Sequence, residues 1–233
     1  METLEKQLAE AYLLGAYLGD GHCSWNDGGD RKHNSYQLHL PSMDADLLDK
    51  VRASIYLCFP QLEGKVVISK YDKRNHELLW CSSIELCQFL RSRCDVKKRL
   101  PRFSDKLLFR EFIAGLMDTD GWITEHFARR QKPYVWEGKV WQMGFATTAP
   151  WYGLLNRLLQ QSGVVLGKTT KVWQPEDKKD VWADCFRTYF NIASFVDAGF
   201  YFTIARKKNR IQNWQQHMRG ESSETRSPDP THA

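Results

Sequence analysis

The chain has 233 residues, of which 42% are hydrophobic and 26% are charged, and its formal net charge is +5. This composition is ordinary for a globular protein, and the length suits one large domain or two small ones. A membrane-spanning segment is excluded, because no apolar run reaches the length that crosses a bilayer.

The charge is concentrated in the body of the chain. Residues 1–220 carry +7, because the last thirteen residues hold three acids and one arginine. A moderately basic body fits a polyanionic partner. The N-terminal stretch METLEKQLAEAYLL has acids where a secretory signal has basic residues, so we interpret it as the start of a helix. The six cysteines form no CxxC pair, which argues against a zinc site and favours free buried thiols in a reducing, intracellular compartment.

The first half of the chain is predicted to contain three helices and four strands. Its strand SYQLHL alternates, with Leu38 and Leu40 on one face and Gln37 and His39 on the other. In chain order, the elements are a helix at 3–19, two strands around the Gly-Asp-rich turn of 22–41, a helix at 44–59, a hairpin formed by 64–73 and 77–83, and a helix at 84–94.

The second half repeats that order. Its elements are a helix at 104–119, a hairpin at 122–147, a helix at 151–162, strands near 168–174 and 181–190, a short helix from Ala193 and a basic helix at 203–218. Each half therefore reads αββαββα, and we predict an α+β protein of two pseudo-symmetric repeats. The boundary falls at LPRFSD, so the repeats are residues 1–99 and 100–220, followed by a disordered tail at 221–233.

Two copies of an unusual pattern begin the halves. LLGAYLGDG spans residues 13–21 and IAGLMDTDG spans residues 113–121, so the offset is 100 residues. Either copy alone could be an ordinary Asp-Gly turn at the end of a core helix, but matched flanks and matched downstream order disfavour that reading for two copies. Asp118 faces Leu18 in this alignment, so we interpret it as a local helix-end residue outside the repeated pair.

Small residues recur one turn apart in both motifs. Gly15 and Gly19 share one helix face, as do Gly115 and Thr119. Glycine costs a helix interior roughly 1 kcal/mol against alanine, so its presence needs a reason. Small residues at this spacing allow two helix backbones to approach closely. We therefore predict that the two motif helices pack against each other.

That packing brings two acids together. Asp20 and Asp120 would lie side by side at two helix C-termini, and Gly21 and Gly121 would let the chain turn sharply out of each helix. Two carboxylates at this position repel each other, and the helix dipoles add negative potential. A divalent cation relieves the repulsion, and paired carboxylates that bind Mg²⁺ are suited to phosphodiester hydrolysis.

The two motifs resemble those of the LAGLIDADG homing endonucleases in their single-chain, two-repeat form, over roughly residues 7–218. The second copy agrees at Ala114, Gly115, Leu116, Asp118, Asp120 and Gly121, whereas the first departs at Leu18 and Gly19. The resemblance implies a monomer that cuts double-stranded DNA at a long, non-palindromic site. It also implies Mg²⁺ as cofactor, with Mn²⁺ as a substitute and Ca²⁺ binding without cleavage, and metal ligands from Asp20, Asp120, Gly19 and Thr119.

The resemblance also implies active-site lysines. The stretch KKRLPRF before the second motif is similar to intein-type endonuclease domains and places one lysine at Lys98, or at Lys97 if the register slips by one. ARKKNR offers its partner as Lys207 or Lys208. Such a lysine can polarise the attacking water or offset transition-state charge. A polar residue after the first hairpin often positions water in the family, and the candidates here are Ser42 in half one and Thr147 or Thr148 in half two.

In the family, the sheet of each half forms a curved saddle over the major groove, which a β-ribbon can enter and read. Outward strand positions and hairpin loops supply basic and polar residues for base and phosphate contacts. They are Arg31, Lys32, Gln37, His39, Lys65, Ser69, Tyr71, Lys73, Arg74, Arg129, Arg130, Gln131, Lys139, Gln142, Lys168, Thr170 and Lys171. For the tryptophans near loops, Trp25, Trp136 and Trp173, we expect packing rather than base stacking.

Three functions compete at this point. The first is a Mg²⁺-dependent, site-specific DNA endonuclease, and the retention of both motif acids favours it. The second is a catalytically silent protein on the same fold, an intron maturase or a transcription regulator. The third, a hydrolase of small phosphates, has no phosphate-cradling glycine loop to support it. The chain ends carry no splicing residues, so we expect a free-standing or intron-encoded protein rather than an intein.

Overall fold

The computed structural model describes residues 3–26, 35–71, 76–94, 100–103, 105–130, 136–172 and 184–220. The first half contains α1 (Leu4–Gly19), β1 (His22–Asn26), β2 (Ser35–Ser42), α2 (Ala45–Cys58), a 3-10 turn (Pro60–Leu62), β3 (Val67–Lys70), β4 (Glu77–Ser82) and α3 (Ile84–Arg93). The second half contains α4 (Lys106–Thr119), β5 (Gly121–Arg130), β6 (Trp136–Thr148), α5 (Ala149–Gln161), β7 (Leu166–Lys171), β8 (Cys185–Phe190), α6 (Ile192–Asp197) and α7 (Ala205–Met218). The predicted tail at 221–233 lies outside the described residues.

The two halves have the same sheet topology. The strand order is β1-β2-β4-β3 in one sheet and β5-β6-β8-β7 in the other, and every pairing is antiparallel. The prediction of an α+β fold with two αββαββα repeats is confirmed, with α7 added after the second. Where one repeat ends and the other begins stays a prediction.

Each sheet has a buried face and an outer face. In β2, Leu38 and Leu40 are fully buried, whereas Gln37 and His39 point the other way and are only partly buried. In β6, Met143 and Phe145 are buried in the same manner. The strand alternation predicted from SYQLHL is thus confirmed. We use "outer face" below for the side of each sheet that faces away from this core.

The motif helices α1 and α4 pack with their backbones in contact. A Cβ atom added to Gly15 would lie 1.9 Å from Phe112 O, and one added to Gly115 would lie 2.2 Å from Tyr12 O. No real side chain fits such distances. The predicted close approach through the small residues is therefore confirmed.

Gly21 and Gly121, which follow the two acids, must be glycine for a different reason from the one predicted. Neither Gly21 nor Gly121 has a positive φ, so a left-handed turn does not require them. Instead, a Cβ at Gly21 would lie 2.6 Å from Tyr17 Cα, and one at Gly121 would lie 2.5 Å from Met117 O. The strand that leaves each helix runs too close to the last helical turn for any side chain.

Two further features of the described residues bear on the sequence analysis. None of the described helices combines the length and apolar character that crossing a bilayer requires. All six cysteines are free thiols, and five of them are buried; Cys185 is partly exposed. The intracellular, reducing location inferred from them stays a prediction.

Candidate active site

The two motif acids occupy equivalent positions. Asp20 directly follows α1 with φ −101° and ψ −1°, and Asp120 directly follows α4 with φ −82° and ψ −8°. Their backbone N–H groups donate to Ala16 O at 3.2 Å and to Leu116 O at 2.9 Å, so each continues its helix by one residue. A Cβ at Gly19 would lie 3.5 Å from Asp120 Cγ, which places the two helix ends next to each other.

The acid pair, Asp20 and Asp120, lies in surroundings that on balance disfavour the charged forms of both carboxyl groups. Burial, with a smaller contribution from the neighbouring Asp20 carboxylate, raises the pKa of Asp120 to about 8. Burial also raises the pKa of Asp20, although this residue is the more exposed of the two. Lys207 acts in the opposite direction and lowers the pKa of both. A group of carboxylates that resists ionisation in the absence of a cation is a suitable place to bind one.

The donor set fits a hard divalent ion. Within the described residues, no cluster of three or more His, Cys, Asp or Glu side chains exists that could hold a metal. A cation between Asp20 and Asp120 would complete its shell with backbone carbonyls, water and substrate oxygens, as Mg²⁺ and Mn²⁺ do. Gly19 can contribute only through its backbone carbonyl, since it has no side chain. Thr119 can offer its backbone carbonyl as well, and its hydroxyl donates back into α4, to Leu116 O at 2.9 Å and to Gly115 O at 3.2 Å.

The structure distinguishes the two candidate lysines of α7. Lys207 is buried, and its Nζ donates to Met117 O at 2.7 Å, Asp118 O at 2.6 Å and Thr119 O at 3.3 Å. Its ammonium group therefore caps the C-terminus of α4 beside Asp120. Burial lowers the pKa of Lys207 to about 8. Lys208 is exposed on the next position of the helix. Lys97 and Lys98 lie outside the described residues.

Asp118 has a role that the sequence analysis missed. It is 1% exposed and accepts hydrogen bonds from Tyr12 Oη at 2.9 Å and from Thr203 N at 2.9 Å. These contacts join it to α1 and to the segment before α7, so its interpretation as a local helix-end residue is wrong. The available signal was an acid on the apolar face of a core helix, which implies a buried partner.

The polar residues after the hairpins serve local structure. Ser42 Oγ accepts from Asp44 N at 3.0 Å, in the turn that leads into α2. Thr147 is buried on the core side of β6, and Thr148 precedes α5 without a capping bond from its side chain. The structure does not bring Ser42 or Thr147 to the outer face. A water-positioning role for Ser42, Thr147 or Thr148 has no support in these contacts.

The outer face of the first sheet gathers several of the predicted DNA-binding residues. Gln37 and His39 lie on it, and His39 Nε2 is 3.3 Å from Gln37 Oε1. Ser69 is exposed on β3 and shares the outer face, Tyr71 is exposed just beyond this strand, and Lys65 is exposed before it. Sequence reasoning missed their neighbours His22 and Trp80, which are both paired with His39 across the sheet and could have been found from strand alternation.

The outer face of the second sheet is more basic. Gln142, Lys168 and Thr170 line one open concavity of about 410 Å³, together with Tyr189. Arg187 was missed. It is exposed, pairs with Thr170 across the sheet, and lies over the Trp122 ring with its Cζ 5.9 Å from the ring centroid. The alternation of Arg187 with buried Thr188 was the available signal.

Two predicted DNA-binding lysines do not share the outer face. Lys139 lies four residues before the buried Met143 in β6 and therefore on the same side of the strand, away from the outer face. Its Nζ is 3.5 Å from Glu125 Oε1. Lys171 lies two residues after Thr169 in β7 and therefore on the same side of the sheet, which faces α5. Its Nζ is 2.7 Å from Asp184 Oδ2. The other residues considered for DNA contact lie outside the described part of the chain: Arg31, Lys32, Lys73, Arg74, Gln131 and Trp173. The described part also excludes the side chains of Arg129, Arg130, Trp25 and Trp136.

Solved structures similar to this chain include homing endonucleases. I-DmoI in complex with DNA and Ca is 16% identical with a TM-score of 0.54, and covers 82% of this chain and 87% of its own. A lysine mutant of I-SmaMI is 10% identical with a TM-score of 0.59, over 91% and 92%. I-SmaMI bound to uncleaved DNA with calcium is 10% identical with a TM-score of 0.57, over 92% and 94%.

At these identities the likeness is one of fold. No protein-family model matches the sequence, and no curated protein sequence matches it significantly. The chain thus has the two-repeat fold of single-chain LAGLIDADG homing endonucleases, with its motif helices and its acid pair at the centre.

Proposed function

We propose that this protein is a site-specific double-strand DNA endonuclease that uses a divalent metal ion held by Asp20 and Asp120. One observation carries the proposal above the others. Two carboxylates meet at the ends of two helices whose backbones touch, and burial together with mutual repulsion raises the pKa of Asp120 to about 8. Such a pair is costly to keep in a fold unless a cation and a polyanion complete it.

We infer that DNA binds along the outer faces of the two sheets, whose first strands begin within two residues of Asp20 and Asp120. β-Strands can enter the major groove and read base edges there. The outer faces offer Gln37 and His39 in one half, and Gln142, Lys168 and Arg187 in the other. Because these two sets differ, the target need not be a palindrome. I-DmoI and I-SmaMI are described in complex with DNA and with Ca or Mn, which supports extending DNA binding and metal use to this chain.

The residues of the site have separate tasks in this account. A bound Mg²⁺ would supply an activated water and stabilise the leaving oxygen. Asp20 and Asp120 would hold it, with Gly19 and Thr119 offering backbone oxygens. Lys207, whose ammonium lies at the C-terminus of α4, would offset negative charge on the scissile phosphate. Lys98 is our proposal for the corresponding lysine of the first half. We further propose that the protein acts as a monomer, because one chain supplies both acids.

The test is cleavage of a plasmid library that carries randomised sites. The protein is incubated with the library in Mg²⁺, Mn²⁺, Ca²⁺ or a chelator, and the cut ends are sequenced. We expect a staggered cut at one long site in Mg²⁺ and Mn²⁺, and binding without cutting in Ca²⁺. Selective binding with no cutting in any metal would instead support the silent, nucleic-acid-binding alternative.

A further inference from the structure

We propose that Tyr12, Asp118 and Thr203 form a polar tether that positions Lys207 at the acid pair. The inference rests on the proposed function for its catalytic consequence. The tether residues are positioning residues, since none of them is placed to touch the scissile phosphate.

The contacts of Asp118 fix the chain just before α7. Its carboxylate accepts from Thr203 N at 2.9 and 3.2 Å, from the Thr203 hydroxyl, and from Ile204 N at 3.5 Å. Tyr12 Oη donates to the same carboxylate at 2.9 Å and lies 3.2 Å from Thr203 Oγ1. Ile204 immediately precedes α7, and Lys207 lies in the first turn of that helix. The tether therefore determines where the first turn of α7 begins.

The backbone of the same acid receives the lysine. Lys207 Nζ donates to Asp118 O at 2.6 Å, while the Asp118 side chain holds Thr203. One residue of α4 thus binds both ends of the short segment that carries the ammonium group. A shift of Thr203 would be transmitted to Lys207 within one helical turn.

A second set of contacts holds this turn from the first half. Asp46 Oδ2 accepts from Ala205 N at 2.6 Å, and Asp44 accepts from Arg206 Nε at 2.9 Å and from Arg206 Nη2 at 2.8 Å. The Arg206 side chain is 56% exposed, so solvent and salt weaken this pair. The tether is screened less by salt, because the Asp118 carboxylate at its centre is buried.

The helix packing itself does not require a polar set here. At the offset of 100 residues, Tyr12 corresponds to Phe112 and Asp118 corresponds to Leu18. Phe112 is buried and Leu18 packs against the core, so the pseudo-symmetric place is filled by apolar side chains. Burying a carboxylate is unfavourable unless hydrogen bonds compensate it. The hydrogen bonds that compensate Asp118 attach the segment before α7, as expected of a residue that positions Lys207.

The test compares Thr203→Val with Thr203→Ser. Valine removes the hydroxyl group with little change of shape, whereas serine keeps it. We measure the single-turnover cleavage rate at saturating protein and, separately, the Kd for DNA in Ca²⁺. Thr203→Val and Tyr12→Phe should slow cleavage by about tenfold or more while the Kd changes little, because a misplaced group costs rate rather than affinity. Thr203→Ser, which keeps the hydroxyl group, should cleave at the wild-type rate.

Two controls separate positioning from general stability. Tyr152→Phe removes a hydroxyl from a ring that stacks on Phe186 at 4.1 Å and for which the described residues supply no hydrogen-bond partner, so the rate should not change. In a Lys207→Met background, Thr203→Val should cause no further loss, because the tether acts through Lys207. An additional loss in that background, or equal loss in Val and Ser variants, would overturn the proposal.

Amide hydrogen exchange of residues 203–207 tests, without any measurement of cleavage, whether the tether holds this segment. Exchange there should accelerate in Thr203→Val and not in Thr203→Ser. If the wild type cuts no DNA, the proposed function fails, and this exchange experiment still decides whether the tether exists. Unchanged exchange in the valine variant would overturn it, whatever the cleavage result.

Discussion

At the scale of single residues, the ionisation of Asp120 makes the stability of the metal-free protein depend on pH. Its folded-state pKa of about 8 is above the ordinary value of 3.8, so the folded protein binds this proton more tightly than the unfolded chain. The stabilising contribution of Asp120 is therefore fully present below pH 3.8 and is lost as the pH rises to about 8. A bound divalent cation would remove this loss.

We therefore expect Asp120→Asn to change how stability depends on pH. In a chelator, the free energy of unfolding of the wild type should fall relative to that of Asp120→Asn as the pH rises from 4 to 8. Urea unfolding at several pH values measures the difference. Asp49→Asn is the control, because it changes an acid of an exposed ion pair with Arg52 in α2. A difference between the wild type and Asp120→Asn that stays constant over this range would show that Asp120 is not perturbed.

At the scale of elements, the contact between α1 and α4 holds the two acids together. Gly115→Ala should destabilise the protein, because the new Cβ would lie 2.2 Å from Tyr12 O and 2.8 Å from Ala16 N, and backbone atoms cannot move aside without separating the helices. Overpacking of this kind costs about 1–3 kcal/mol. Urea unfolding measures this cost as a lower midpoint.

Gly153→Ala is the matched control for that experiment. Gly153 lies within α5, and a Cβ added to it meets no atom within 4 Å. Alanine there should raise stability by roughly 0.5–1 kcal/mol, since glycine is unfavourable inside a helix. Equal stability changes in the two variants would mean that the glycine contact between α1 and α4 is not tight.

At the scale of the whole molecule, the outer faces of the sheets should dominate the attraction to DNA. Lys168→Ala and Arg187→Ala should each weaken binding and reduce the slope of log K against log salt by about 0.9, the value for one lost phosphate contact. Lys171→Ala is the control, since Lys171 has the opposite strand parity and is paired with Asp184 at 2.7 Å. Binding titrations in Ca²⁺ over a range of salt measure the slope. An equal loss of slope for Lys171→Ala would contradict this assignment of the faces.

The agreement between sequence and structure follows from how local the signals are. The alternation of Leu38 and Leu40 with Gln37 and His39 predicted a strand and its faces, because strand geometry repeats every two residues. The paired Gly15 and Gly115 predicted a close helix crossing, since glycine has no other reason to be there. The strand faces depend on neighbours within one strand, and the helix crossing, although it joins distant residues, leaves a local mark in each helix as a glycine one turn before another small residue.

The errors concern contacts between distant parts of the chain. Asp118 binds Thr203 across 85 residues, and no local pattern names that partner. A different case is that of Lys139 and Lys171, which the sequence analysis assigned to outward strand positions although their alternation with Gln142 and Thr170 places them on the other side of the sheet. Lys207 could not be separated from Lys208 because adjacent helical positions differ only in which one the fold buries.

The most direct test of the account is whether both motif acids are needed to break DNA. A plasmid that carries the selected site is incubated in Mg²⁺ with the wild type, Asp20→Asn or Asp120→Asn, and linear product is measured over time. We predict linear product from the wild type only, with both variants still binding the site in Ca²⁺. Linear product at the wild-type rate from either variant would contradict a metal ion shared by Asp20 and Asp120.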